Sequence, residues 1–307
     1  MNLFCQRESL SAGPHPAVMV IGSGLIGSEI IRSLESDHYQ LVYRSKLRWH
    51  HRSELDAQCR LFFSEVASLQ LSQITVIWAA GKASFTSSSA ETAREYEDFQ
   101  TILKTLSSYF QSHSIPVHVI LMSSAGGLFE GRRLVGQASE PLPLRPYGQL
   151  KLDQEQFVSD LEGVDQHLHL RLTSVYGKIS PRNRMGLIPT LLYNGLQNRV
   201  SYIIGRQDTI RDYVYAGDVG RAVVQCIYTL PEIERRSLIL GSSKPSSLLE
   251  VQQCVESIIQ RKLFVNYTAE KNSSSITFSE PLNFPFLVND AMHTNISKIY
   301  HAFAGHR

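Results

Sequence analysis

Val18-Met19-Val20-Ile21-Gly22-Ser23-Gly24-Leu25-Ile26-Gly27 is an apolar run that stops abruptly on a G-x-G-x-x-G. The run from Ala17 to Ile21 reads as a buried strand, and Ser28–Leu34 reads as the helix that follows it. In such a strand-turn-helix, Gly22 permits a tight turn, Gly24 lets backbone approach a pyrophosphate, and Gly27 allows the helix to pack close. The N-terminal amides of that helix would face the phosphates, and Leu25, Ile26 and Gly27 are counted with Gly22 and Gly24 as cofactor-binding residues. The plain alternative is a glycine-rich strand-to-helix turn without a ligand.

Outward from this turn, apolar runs alternate with helix-like stretches. Gln40–Tyr43, Thr75–Ala80, Val117–Met122 and His167–Leu172 are the further strand candidates. Glu91–Ser112 and Leu150–Leu161 carry helical apolar spacing. Alternation of this kind predicts an α/β fold, a Rossmann-type doubly wound parallel sheet covered on both faces. Residues 1–16, with Pro14 and Pro16, read as an irregular lead-in to the first strand. The last third is less regular, although Val251, Cys254, Val255, Ile258 and Ile259 follow the spacing of an amphipathic helix. The expected division places residues 1–175, with a return near 211–235, in the dinucleotide-binding domain. Residues 176–210 and 236–307 form a smaller substrate-binding cap.

Bulk properties narrow the function classes. The 307 residues carry a formal net charge of +2, so no strong field is available for nucleic acid or an anionic membrane. No apolar run approaches the roughly 20 residues that span a bilayer. The N-terminal residues lack the apolar segment of a signal peptide. Cys5, Cys59, Cys226 and Cys254 are far apart, as free thiols in a reducing compartment would be. These features together predict a cytoplasmic enzyme. His167 and His169 alternate on a strand with no completing ligand set nearby, so no metal site is expected.

The end of the second strand reads Tyr43-Arg44-Ser45-Lys46. An NAD site usually carries Asp or Glu there for the ribose hydroxyls. Two cations and a hydroxyl suit a 2′-phosphate instead, which tilts the expectation towards NADP over NAD. The alternative is a solvated basic turn, since Arg48 and Arg52 follow.

The chemistry gathers further along. Val119–Met122 delivers Ser123 and Ser124 at a strand's carboxyl end, and Tyr147-Gly148-Gln149-Leu150-Lys151 follows. A Tyr and a Lys four residues apart share one helix face. A free phenol ionises near pH 10, too high for a good base at neutral pH. An ammonium at ~4 Å favours phenolate by about 4 kcal/mol at an effective dielectric of ~20, before desolvation. Such a pair is suited to exchange a proton with a carbinol.

Taken in order, these stretches resemble the extended branch of the short-chain dehydrogenase/reductase superfamily, the nucleotide-sugar epimerases, dehydratases and reductases. The resemblance runs through Val18–Gly27, Val76–Gly81, Ile120–Gly131, Tyr147–Lys151 with Glu155, Arg171–Gly177, Gly186–Pro189 and Arg211–Asp218. It implies that Ser124 hydrogen-bonds the reacting sugar oxygen and Tyr147 exchanges its proton. Lys151 would hold the nicotinamide ribose, and Arg211 would meet the diphosphate of a nucleotide sugar. Ala79, Ala80 and Gly81 would lie along the cofactor, and Ala125 and Ser174 beside the substrate. A homodimer through the helices Glu91–Ser112 and Leu150–Leu161 is expected by the same analogy. The chain departs from the family at Ile21, where glycine is usual, and at the missing second-strand carboxylate. In the late loop, the second cation for the diphosphate is either Lys271 or missing.

The family's dehydratases place Asp and Glu directly after the strand-end hydroxyl residue. Ala125 and Gly126 stand there, which disfavours dehydration. Hydride transfer remains, most simply the reduction of a 4-keto group by NADPH. A 4-epimerase working with retained NAD uses the same Ser124, Tyr147 and Lys151. A non-catalytic dinucleotide-binding regulator would be expected to lack Tyr or Lys.

Overall fold

In the computed structural model, which describes residues 1–6, 15–181, 185–268, 275–279 and 291–305, the expected runs become strands of one seven-stranded sheet. They are β1 (Asn2–Gln6), β2 (His15–Ile21), β3 (Tyr39–Arg44), β4 (Leu71–Trp78), β5 (Val117–Ser124), β6 (Gln166–Leu172) and, tenth in chain order, β10 (Ser237–Leu240). Their spatial order is β10-β6-β5-β4-β2-β1-β3. Every ladder is parallel except the two made by β1, which runs antiparallel to both β2 and β3.

The helices cover both faces. α2 (Arg52–Ala67) and α3 (Ser89–Ser112) bury Leu55, Phe62, Phe63, Phe99 and Phe110 against one side. α1 (Leu25–Ser36) and α7 (Ala216–Thr229) bury Ile30, Leu34, Val219 and Val223 against the other. Strands buried on both faces have no polar side to alternate with, which is why β2, β4 and β5 read as continuous apolar runs. α3 starts where it does because Ser88 and Glu91 form a capping box. α5 (Pro146–Asp160) begins with proline at its first position, where a missing N–H costs nothing.

Two expectations need correction. The first residues are not an irregular lead-in. Asn2–Gln6 is a central strand, with Leu3 and Cys5 buried in one core and Phe4 in the other. Its register is Phe4 against Val18 and Phe4 against Leu41, so all its partners come from distant sequence. Nothing in five local residues reveals such pairing. The second correction concerns the domain boundary. Ser237–Leu240, assigned to the cap, is the edge strand of the main sheet beside β6. Conversely, Ile210–Tyr215 leaves the main sheet.

The smaller region has its own sheets and core. β7 (Ser174–Tyr176), β9 (Ile210–Tyr215) and β11 (Pro245–Ser247) form a three-stranded sheet, and β8 (Ser201–Ile204) pairs with β12 (Val265–Thr268). α6 (Leu187–Leu196), α8 (Leu248–Ile259) and α9 (Met292–Ala304) close a separate apolar cluster over them. Asp212 ties this region to the main sheet. Its buried carboxylate accepts from Thr173 Oγ1 at 2.8 Å and from the Ser242 N–H at 2.7 Å. Among the described residues, no helix is long and apolar enough to cross a membrane.

Candidate active site

The glycine turn sits at the carboxyl end of β2, where β4 is the neighbour on one side and β1 on the other. Gly22 has φ +108°, and a Cβ there would stand 2.5 Å from the Ala80 nitrogen. A Cβ on Gly27 would stand 2.2 Å from the Gly22 oxygen, so the helix packs against the turn as expected. Gly24, the N-cap of α1, has no atom within 4 Å of where a Cβ would be. The turn therefore holds itself shut at Gly22 and Gly27 and is open at Gly24, where a ligand phosphate would approach the helix amides.

A cleft of about 730 Å³ opens beside this turn. Residues 22–25 and 78–83 form its floor, joined by Trp49, His50, Glu95, Asp98 and Lys178 among others. Ala79, Ala80 and Gly81 line it. Glu95 Oε2 accepts from the N–H groups of Lys82 at 2.7 Å and Ala83 at 2.8 Å. Its other oxygen, Oε1, is buried without a hydrogen-bond partner, and so is Trp78 Nε1. Lys178 Nζ donates to Ser28 Oγ on α1 at 3.2 Å, next to the phosphate-facing turn.

Arg44, Ser45 and Lys46 do not line this cleft. Arg44 Nε donates to Asn2 Oδ1 at 3.0 Å, the Ser45 carbonyl accepts from the Met1 nitrogen at 2.6 Å, and Lys46 is exposed. β1 has taken the place beside β2 and pushed the end of β3 outward.

Ser124 and Tyr147, two of the residues expected at the proton transfer, lie near Phe85, two residues beyond the cleft residue Ala83; neither they nor Lys151 line the cleft itself. Ser124 closes β5 and caps the short helix α4 (Ala125–Leu128), accepting the Gly127 N–H at 3.1 Å. As an acceptor in that bond, its hydroxyl keeps its proton to donate. Gly127 also brings Tyr147 in: a Cβ on it would be 3.1 Å from two carbons of the Tyr147 ring. Phe85 covers the other side, its ring centre 5.4 Å from that of Tyr147. One turn along α5, Lys151 is buried with Nζ 2.9 Å from Gln154 Oε1 and 3.4 Å from the Met122 carbonyl. Ala125 is buried and starts α4; Ser174 is half-buried on β7.

A buried network fixes α5 beneath this site. Glu155, one turn past Lys151, accepts from Ser123 Oγ at 2.6 Å on β5. It also takes Arg171 Nε at 3.0 Å and a second guanidinium nitrogen at 2.7 Å on β6. His169 stands 3.9 Å from the same carboxylate. Burial, reinforced by His167 and Arg171, pushes the His169 imidazole down to about 3. His169 is thus a neutral packing residue.

Arg211 is partly buried on β9, one guanidinium nitrogen 2.9 Å from the Ile210 carbonyl. Burial lowers its affinity for the proton, while Tyr213 and Glu130 pull the other way. Glu130 is itself held by Arg145 Nε at 2.9 Å, just ahead of Tyr147. Lys271, the further cation considered for the diphosphate, lies outside the described residues.

Trp49, His50, Trp78, Glu95 and Asp98 escaped the sequence reading. Glu95 and Asp98, three apart on one face of α3, were the available hint. Nothing in the sequence tied that face to the cleft.

A profile of the NAD dependent epimerase/dehydratase family matches residues 18–236. A Methanocaldococcus jannaschii protein that carries a provisional UDP-glucose 4-epimerase name is 24% identical over 244 residues, covering 75% of this chain and 78% of its own. The UDP-glucose 4-epimerase of Thermus thermophilus, solved with NAD, superposes with a TM-score of 0.76 at 17% identity, over 94% of this chain and 98% of that one. A GDP-6-OMe-4-keto-L-xylo-heptose reductase from C. jejuni gives a TM-score of 0.72 at 13% identity, over 96% and 99%.

Proposed function

Because this chain belongs to the NAD-dependent epimerase/dehydratase family, we propose that it moves a hydride between a nicotinamide dinucleotide and a carbinol carbon of a nucleotide sugar, at C4. The observation that carries this reading is the meeting of Ser124 and Tyr147 around Gly127, with Lys151 one turn further on the same helix. A bound nicotinamide ring would accept or return the hydride. Tyr147 takes the carbinol proton as the carbonyl forms and gives it back on reduction. Ser124 donates a hydrogen bond to the oxygen that changes between carbinol and carbonyl. Lys151, the cation one turn along α5, would hold the nicotinamide ribose. Phe85 packs against one side of the Tyr147 ring. Arg211 is the guanidinium we assign to the diphosphate, on the resemblance.

Of the two hydride-transfer outcomes, 4-epimerisation is favoured over reduction of a 4-keto sugar. The case for an NADPH-fed reductase rested on Arg44, Ser45 and Lys46, and in the folded chain Arg44 is bonded to Asn2, the Ser45 carbonyl to the Met1 nitrogen, and Lys46 is exposed. The test is a panel of UDP- and GDP-sugars and their 4-keto forms, with product analysis and absorbance of the reduced cofactor followed together. An epimerase forms the C4 epimer with no net change in reduced cofactor; a reductase consumes one equivalent per product. Tyr147→Phe should lower turnover by roughly 10²-fold or more while nicotinamide dinucleotide still binds. Turnover of the wild-type substrate at an unchanged rate would remove Tyr147 from the mechanism.

A further inference from the structure

The resemblance gives roles to Tyr147 and Lys151 on α5 and takes in Glu155; it says nothing of Gln154, which is 0% exposed. A glutamine is seldom buried so completely unless both ends of its amide are paired. Here only one end is. Gln154 Oε1 accepts from Lys151 Nζ at 2.9 Å, from three residues back on the same helix face. Gln154 Nε2 is buried without a hydrogen-bond partner among the described residues. Turning the amide over would set an N–H donor against an ammonium, which is itself only a donor. The amide is therefore held in the orientation that serves Lys151, at the expense of its own other end.

Lys151 needs such a partner. It is 6% exposed, and a buried ammonium on a flexible stem is costly unless it is hydrogen-bonded. Besides Gln154, it has the Met122 carbonyl on β5, at a longer 3.4 Å. No carboxylate pairs with it among the described residues. Glu155, the residue after Gln154, is taken up by Arg171 and Ser123. Two neighbouring acceptors on α5 are thus allotted by charge, the carboxylate to a guanidinium and the neutral amide to the ammonium. An ammonium carries three N–H donors. The amide on the helix and the carbonyl on the strand that ends in Ser124 occupy two of them and fix the direction of the third.

We infer that Gln154 is a positioning residue: its amide oxygen, together with the Met122 carbonyl, aims the Lys151 ammonium so that the remaining N–H meets the nicotinamide ribose. This rests on the reading above in which Lys151 holds that ribose. Gln154 is enclosed and acts only through Lys151. Without its oxygen, Lys151 keeps one long bond to β5, and part of the dinucleotide's binding is lost to ordering a loose stem.

The test is a double-mutant cycle on Gln154→Met and Lys151→Met, both unbranched apolar replacements, read by calorimetric titration with NAD⁺ and by thermal unfolding. Each single variant should weaken NAD⁺ binding about tenfold or more. The double variant should bind within about twofold of Lys151→Met, because the amide has nothing to aim once the ammonium is gone. It should also melt above Gln154→Met, since neither an ammonium nor an amide is left unpaired. Gln154→Asn keeps the amide but stops a methylene short of Nζ. It should lose as much affinity as Gln154→Met, and it supplies the comparison if Gln154→Met fails to fold. On a nucleotide sugar that turns over, either Gln154 variant should lower kcat and leave KM for the sugar within about twofold. NAD⁺ affinity within about twofold of wild type in the Gln154 variants overturns the inference. So do additive losses in the double variant, which would make Gln154 a packing residue that acts without Lys151. Lys151→Met that binds NAD⁺ as wild type does, or a wild type that binds none, overturns it together with the ribose reading. The expected cycle without turnover of any nucleotide sugar defeats only the proposed reaction.

Discussion

Gly22 and Gly24 stand two residues apart in one turn, and alanine at each should fail in a different way. At Gly22, φ +108° is a conformation that costs an L residue about 1–3 kcal/mol. The added Cβ would lie 2.5 Å from the Ala80 nitrogen and 2.6 Å from the Ala79 carbonyl, both backbone. Overpacking of that kind adds about 1–3 kcal/mol, for a combined loss near 4 kcal/mol. Unfolding entropy of roughly 2.1 cal/mol/K per residue over the 307 residues turns this into a fall in Tm of about 6 °C. At Gly24, φ −68° is ordinary and the Cβ would meet nothing within 4 Å. The stability cost of Gly24→Ala is only the weaker N-cap, no more than ~1 kcal/mol or about 1–2 °C. Its methyl group would, however, occupy the open approach to the α1 amides. Losing one or two charge-assisted hydrogen bonds, each worth about 1.5–3 kcal/mol, weakens dinucleotide binding at least tenfold. Thermal unfolding and calorimetric titration with NAD⁺ on both variants separate the two roles. Undiminished NAD⁺ binding by Gly24→Ala would show that no pyrophosphate approaches this turn. A Tm loss in Gly24→Ala matching that of Gly22→Ala would refute the packing argument.

Two further outcomes concern the support of α5 and the acid limb of stability. Arg171→Met leaves the Glu155 carboxylate buried with Ser123 as its remaining hydrogen-bond partner; the expected loss is about 3–5 kcal/mol, read as a Tm drop of about 5–8 °C, and Glu155→Met in the same chain should recover part of it. For His169, the imidazole is held neutral, with its pKa lowered from 6.5 to about 3. The unfolded chain protonates first, so this contribution is complete above pH 6.5 and is lost as pH falls towards 3, at up to about 1.4 kcal/mol per pH unit. His169→Gln should flatten the fall of Tm between pH 6.5 and 5 relative to wild type, and parallel curves would contradict the assignment.

What was legible in the sequence was what local chemistry enforces. A strand buried on both faces has to be apolar throughout, and β2, β4 and β5 show it. A turn that packs at 2.2 Å admits only glycine, so Gly27 announced it. Tyr147 and Lys151 share a helix face by spacing alone. The features that were not legible depend on partners far along the chain. β1 is a strand only because Val18 and Leu41 stand on either side of Phe4. Ser237–Leu240 is apolar enough for either region, and its place in the main sheet comes from its ladder with β6. Asp98 reads as one more acidic residue on a polar helix face until His50 arrives beside it.

The Arg44-Ser45-Lys46 turn shows why a motif's place in the chain does not settle its place at a site. Its chemistry suits a 2′-phosphate, and it does end the second parallel strand. The inference to NADP required in addition that the second strand lie next to the first. That adjacency is a property of the sheet, and a strand drawn from the chain's first six residues removes it. The proton-transfer half of the site has no such freedom. Ser124, Tyr147 and Lys151 are set by β5 and α5, and α5 is bolted to β5 and β6 through Glu155. That part of the proposed site is therefore held by a buried ion pair. The other depends on which strand borders β2, and it is there that cofactor choice can change without disturbing the chemistry.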